Sequence, residues 1–162
     1  MGAENVVVIE QLTKRYRGTT AVDDLSFTVP KAMITGFLGP NGAGKTTTLR
    51  VLLGLALPTS GQATIDGRRY RDLGSPLGTV GAVLEASNYH PARSGRNHLR
   101  VMAAAAGIRA SRVDETLEEV ELAAASTRRV GTYSLGMRQR LSVAAALATC
   151  SRYPVYARVN DR

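Results

Sequence analysis

Apolar positions in this chain recur with two different periods, and the change from one to the other marks its elements. Val6 to Ile9 is a short β-branched run, and Leu25, Phe27 and Val29 alternate with polar neighbours before Pro30, so both segments predict strands. Met33 to Leu38 is nearly unbroken apolar sequence, the pattern of a strand buried on both faces. It runs into Gly39-Pro40-Asn41-Gly42-Ala43-Gly44, after which Leu49, Val51, Leu52 and Leu55 fall at helical spacing until Pro58 stops the pattern. Gln62 to Ile65 predicts another strand closed by an Asp66-Gly67 turn, and Thr79 to Leu84 predicts a second buried one. A helix is predicted from Ser94 or Gly95 to Gly107. Another starts at Ser111, where Asp114 completes a capping-box spacing, and turns one face of Val113, Leu117, Val120 and Ala124 inward. A last helix is predicted from Ser134 to about Ala148. No internal repeat is visible, and no linker is long enough to divide the chain into two domains.

Composition narrows this picture. At 162 residues and 44% apolar content the chain suits one domain with a buried core, which excludes wholesale disorder and low-complexity classes. Cys150 is the single cysteine, so no internal disulfide or cysteine-based metal cluster is expected, in keeping with a reducing compartment. The longest apolar runs, Val51 to Leu57 and Val101 to Ile108, fall short of the ~20 residues that cross a bilayer. Met1 to Glu10 lacks the basic-then-apolar order of a secretory signal, so the expected location is the cytoplasm. The net charge of +8 suggests a nucleic-acid partner at first sight. From Arg128 onward, however, seven arginines face a single acid, Asp161, so this stretch alone carries +6. No patterned basic face with interleaved aromatics accompanies it, and a nucleic-acid-binding module is therefore not expected.

Gly39 to Thr46 satisfies G-x-x-x-x-G-K-[ST], and it lies between a predicted buried strand and a helix, as that phosphate-binding motif requires. Glycines let backbone N–H groups turn inward around phosphate oxygens, and the helix N-terminus adds partial positive charge. Lys45 would reach the terminal phosphates, and the Thr46 hydroxyl would be a ligand of Mg²⁺. A plain left-handed turn accounts for the glycines but not for Lys45-Thr46 directly after them.

With that loop in place, the chain resembles the ATP-binding subunits of ABC transporters over Val6 to about Ala148. Tyr16, in Leu12-Thr13-Lys14-Arg15-Tyr16, resembles that family's adenine-stacking aromatic residue, Ala21-Val22-Asp23-Asp24-Leu25-Ser26-Phe27 resembles the strand region that follows it, and Tyr133-Ser134-Leu135-Gly136-Met137-Arg138-Gln139-Arg140-Leu141 resembles the signature loop and helix. Leu135 stands in place of a glycine and Met137 in place of a glutamine, and Glu85 replaces the usual Mg²⁺-sensing glutamine. These variants are similar to the bacitracin- or daunorubicin-type export branch. On pattern alone Tyr16 is a half-buried strand residue, Glu85 a solvated strand end and Ser134 an ordinary helix cap. Their further roles come from the resemblance.

The resemblance implies an α/β fold of the P-loop NTPase, ABC ATPase type. Its parts are an antiparallel β subdomain, a parallel sheet and a helical subdomain spanning about 86–148, within a partial ATP-binding domain at 1–148. It implies that ATP and Mg²⁺ are held by Tyr16, Gly39, Pro40, Asn41, Gly42, Ala43, Gly44, Lys45, Thr46, Thr47 and Glu85. Ser134, Leu135, Gly136 and Met137 would face ATP in a second copy. A homodimer, a membrane-spanning permease and a place at the inner face of the cell membrane are the implied partners and location. An ATPase of DNA repair or translation shares the cassette but carries insertions or paired cassettes, which this chain does not.

Family hydrolysis uses an Asp-Glu pair at the end of a strand after the signature helix, then a switch histidine. This sequence has no Glu after Glu121 and no His after His98, and its one late Asp, Asp161, follows no apolar strand. No residue is therefore assigned as catalytic. His90 and His98 precede the signature, and His98 is expected to pack within its helix. The stretch 149–162 reads as a divergent, disordered tail of a truncated or frame-shifted chain, which leaves the core parallel sheet incomplete and the chain unable to hydrolyse ATP alone.

Overall fold

In the computed structural model, β1 (Asn5–Tyr16) and β2 (Thr19–Pro30) form a long antiparallel hairpin, paired from Asn5↔Pro30 to Tyr16↔Thr19. Residues 4–33, 35–84, 89–149 and 153–156 are described. The hairpin turns on Arg17 and Gly18, whose φ values of 41° and 87° fit the strand twist as a two-residue loop does. Val6, Val7, Ile9 and Leu12 of β1 are buried. At Gln11 the register slips, and the freed Gln11 N–H donates to the Ser26 hydroxyl at 2.8 Å. β3 (Ser60–Ile65) adds to the other side of β1, giving the sheet order β2-β1-β3. The predicted Asp66-Gly67 turn follows β3, with φ values of 49° and 72°.

α1 (Lys45–Leu52) packs on β2 and β3 and buries Thr48, Val51 and Leu52. It stops well short of Pro58, contrary to the hydrophobic pattern. Gly54 takes φ 68°, its N–H donates to the Val51 carbonyl at 3.0 Å, and the Leu55 N–H reaches back to Arg50 at 2.8 Å. That paired closure satisfies the last carbonyls and ends the helix. Leu55 and Leu57 beyond it are exposed.

The strand predicted at Met33–Leu38 does not form. Residues 35–40 have no regular structure, and Leu38 is 90% exposed. Phe37 is half-buried and stacks on Phe27 with ring centroids 5.0 Å apart. A strand of this kind is held by hydrogen-bonded strands on both sides, and among the described residues none pairs with it.

The described residues divide at Gly74/Ser75 into two compact units. Each closes its own core. The second unit runs through the single turn α2 (Pro76–Thr79), β4 (Val80–Val83), α3 (Gly95–Ala105), α4 (Ser111–Glu119), α5 (Leu135–Thr149) and β5 (Tyr153–Tyr156). Leu99 and Ala103 of α3, Val113 and Leu117 of α4, and Leu141 and Ala144 of α5 meet Leu122, Val130 and Tyr133 in one buried cluster. α5 also packs against β4 and β5. Val80 and Gly81 of β4 are buried and Ala82 is exposed, so this strand is covered on both faces only at its start.

Three expectations in this unit are corrected. Ser111 does not cap α4. Its predecessor Ala110 already has helical φ and ψ of −61° and −29°, and the Arg109 and Ala110 carbonyls take the first N–H groups at 3.1 Å. The helix ends at Glu119, so Ala124 lies beyond it, exposed in a short 3₁₀ turn at Ala123–Ala125. The stretch after Thr149 is not wholly irregular either: β5 pairs parallel with β4, Val80↔Tyr153 through Val83↔Tyr156. Parallel pairing supplies ladder partners to a segment that sequence alone left without any.

Candidate functional site

The glycine loop is shaped by Gly42 and Gly44, with φ values of 84° and 78°. Gly44 is the N-cap of α1 and lies hard against β2. A Cβ placed on it would stand 2.3 Å from the Ala21 carbonyl oxygen and 2.8 Å from Val22 Cγ2. Two bonds fix the loop to the helix. The Thr48 N–H and hydroxyl both donate to the Gly44 carbonyl, at 2.8 and 3.0 Å, and Thr48 is fully buried. Upstream, the Ala43 N–H donates to the Pro40 carbonyl at 3.2 Å.

The Lys45 ammonium spans the start of the loop, donating to the Gly39 carbonyl at 2.6 Å and the Pro40 carbonyl at 2.7 Å. Gly44 offers no side chain to cap α1, and the first turn holds no acid. Helix geometry leaves the N–H groups of Lys45, Thr46 and Thr47 without intrahelical acceptors. Gly39, Pro40, Asn41, Gly42 and Ala43 are exposed, and Thr46 and Thr47 are half-buried beside Lys45. Backbone donors, an ammonium and a hydroxyl at a helix start whose first turn holds no acid make a set that suits a polyphosphate and its Mg²⁺.

Tyr16 ends β1 in the same unit, 45% exposed. The Lys14 ammonium lies over its ring, 4.6 Å from the centroid. Lys14 pairs across the hairpin with Val22, the residue that Gly44 abuts, so the ring and the loop share one end of the hairpin. The Lys14 and Thr48 contributions escaped the sequence reading. Thr48 could be found as the fourth residue after Gly44, and Lys14 as the same-face neighbour two residues before Tyr16.

In the second unit, Ser134 caps α5, its hydroxyl accepting the Met137 N–H at 3.2 Å and its carbonyl the Arg138 N–H at 3.0 Å. Ser134, Leu135 and Gly136 are exposed, with no acid in the first turn, while Met137 packs against the buried cluster. Tyr133 anchors the approach, donating to the Ala125 carbonyl at 2.7 Å. The Arg138 guanidinium lies over the Tyr89 ring, 6.0 Å from its centroid. Glu85 lies outside the described residues.

The chain's one adjacent Asp-Glu pair, Asp114-Glu115, is on exposed α4, where Asp114 pairs with Arg96 at 3.3 Å and Glu115 with Arg112 at 3.2 Å. Both carboxylates are thus committed to structural pairs. His90 is exposed, and His98 is buried on α3 with its pKa lowered by that burial and then by Arg93. Among the described residues no helix is long and apolar enough to cross a membrane.

Comparison with known proteins agrees with this geometry. The ABC transporter family profile matches residues 22–154. The bacitracin transport ATP-binding protein of Bacillus licheniformis is 41% identical over 144 residues, covering 88% of this chain and 47% of that protein. An uncharacterized ABC transporter ATP-binding protein of Bacillus subtilis is 39% identical over 146 residues, covering 89% and 48%. A solved ATP-binding subunit of an ABC transporter superimposes with a TM-score of 0.77 at 25% identity, over 88% of this chain and 62% of its own. The chain spans about half the length of the curated relatives it matches. The glycine loop and the Ser134 start of α5 both fall within residues 22–154, and the chain belongs to the ABC transporter family.

Proposed function

We propose that this chain binds Mg-ATP as the nucleotide-binding subunit of an exporter that moves a small molecule or drug across the membrane. The observation that carries the proposal is the Lys45 ammonium held by the Gly39 and Pro40 carbonyls beside an acid-free helix N-terminus. When the polyphosphate is bound, Lys45 and the first-turn N–H groups offset its charge, and Thr46 supplies the protein's oxygen to the metal ion. Tyr16 offers its ring to the base. The Ser134 end of α5 is a second anion-seeking helix start, and it serves ATP held by another copy in a homodimer.

Export is supported by similarity to relatives named for bacitracin transport and lantibiotic transport. A permease and a place at the inner face of the membrane follow from that role. Bound ATP supplies the free energy of the transport cycle. Within residues 1–162 no Asp-Glu pair follows α5, and no residue is assigned as the base for water attack.

Calorimetric titration with Mg-ATP tests this reading. The wild-type chain is expected to bind, and Lys45→Ala to lose binding by at least about 100-fold while its circular dichroism is unchanged, because a charge-assisted contact to phosphate is removed. Equal affinity of the two proteins would refute the phosphate cradle.

A further inference from the structure

Lys14 has no role in the reading so far, yet its ammonium is committed. It sits 4.6 Å from the centre of the Tyr16 ring, and among the described residues it has no carboxylate partner. Lys14 and Tyr16 are two apart on β1 and so share a face of the strand. Lys14 is half-buried against the hairpin, whereas Tyr16 is largely open. One face of the ring is thereby closed by a cation, and solvent reaches the ring elsewhere.

We propose that Lys14 is a positioning residue which fixes the Tyr16 ring as a one-sided stacking platform for the nucleobase. The inference rests on the reading that this chain binds ATP. An exposed tyrosine at a strand end loses rotamer freedom when a base stacks on it, and an ammonium already seated on one face removes part of that loss beforehand. The cation also draws ring electron density toward itself, which makes the opposite face a better partner for an electron-rich purine. Placement agrees with this role. Lys14 pairs with Val22, and Gly44 of the phosphate loop lies against Val22, so the platform stands at the loop end of the sheet. Because the ammonium is held over the ring, Lys14 acts on the base and not on the phosphates.

The experiment compares two ligands, Mg-ATP and inorganic tripolyphosphate, on the full chain. Lys14→Met keeps the length of the stem without its charge, and it is expected to weaken ATP about two- to fivefold, the size of an exposed cation–ring contact, with no effect on tripolyphosphate. Lys14→Arg should restore ATP affinity. In a Tyr16→Leu background, Lys14→Met should have no further effect. Equal weakening of both ligands by Lys14→Met would show a direct phosphate contact and overturn the proposal, as would additive effects with Tyr16→Leu or unchanged ATP affinity. If the wild-type chain bound neither ligand, and Lys45→Ala changed nothing, the nucleotide reading itself would fall, and this inference with it.

Discussion

Gly44 and Ala21 approach so closely that a single added carbon on the first would stand 2.3 Å from the carbonyl oxygen of the second. The contact joins the glycine loop to β2, and Gly44 holds a left-handed φ of 78° while making it. Gly44→Ala combines backbone strain with displacement of β2. The expected cost is about 2 kcal/mol or more, read as a lower midpoint in thermal unfolding. ATP affinity should fall with it, since Gly44 is also the first residue of the helix cap. A variant as stable as the wild type would mean that the loop has room the close approach denies it.

Ser134 closes the start of α5 through its hydroxyl, 3.2 Å from the Met137 nitrogen. Ser134→Ala should cost about 1 kcal/mol and speed amide hydrogen exchange at Leu135, Gly136 and Met137. Ser134→Asp keeps an accepting oxygen, so it should hold the helix while disfavouring an incoming anion. Loss of stability in the aspartate variant equal to that in alanine would argue against the cap.

Tyr133 and Gly95 share one space in the second unit: a Cβ on Gly95 would lie 2.3 Å from the tyrosine oxygen. Gly95→Ala is therefore expected to destabilise this unit more than Tyr133→Phe, which forfeits one hydrogen bond worth about 1 kcal/mol. The double variant should be less damaged than the sum, because removing the oxygen relieves the worst overlap. Denaturant unfolding of the three variants measures this. Strict additivity would count against the shared space.

His98 gives the chain a pH dependence. The side chain is only 7% exposed, its Nδ1 has no hydrogen-bond partner among the described residues, and burial, reinforced by Arg93, lowers its pKa. The unfolded chain then binds the proton more readily than the folded one. The stabilising difference is fully present above the unfolded value, about 6.5, and is lost as pH falls through that value toward the folded one. His98→Gln should flatten this part of the stability profile. A wild-type profile that stays level from pH 7.5 to 5.5 would contradict the assignment.

The local backbone of the candidate site was more legible in the sequence than the strand pairing around it. The turn at Gly42 and Gly44 and the helix start at Lys45 and Thr46 are read from spacing because they are local: a left-handed turn followed by a helix start is encoded within eight residues. Ser134 and its helix are legible for the same reason. Met33–Leu38 shows the opposite case. Its apolar run carries a strand's pattern, but strand formation depends on partners distant in sequence, and among the described residues none pairs with it. β5 is the converse, a segment without a strand's pattern that gains a strand's hydrogen bonds beside β4. The end of α1 was misread because Leu55 and Leu57 continue the apolar count, whereas Gly54 closes the backbone before them.

By itself, the sequence determined the local chemistry: the glycine loop, the Lys45 charge and the Ser134 cap. Tertiary structure decided which of the apolar runs became strands, where Gly44 meets Ala21, and that the Lys14 ammonium lies over Tyr16. The physical reason is range. Turns, caps and helix starts are fixed by dihedral preferences within a few residues, whereas strand pairing and ring contacts need groups that only a folded backbone brings within reach.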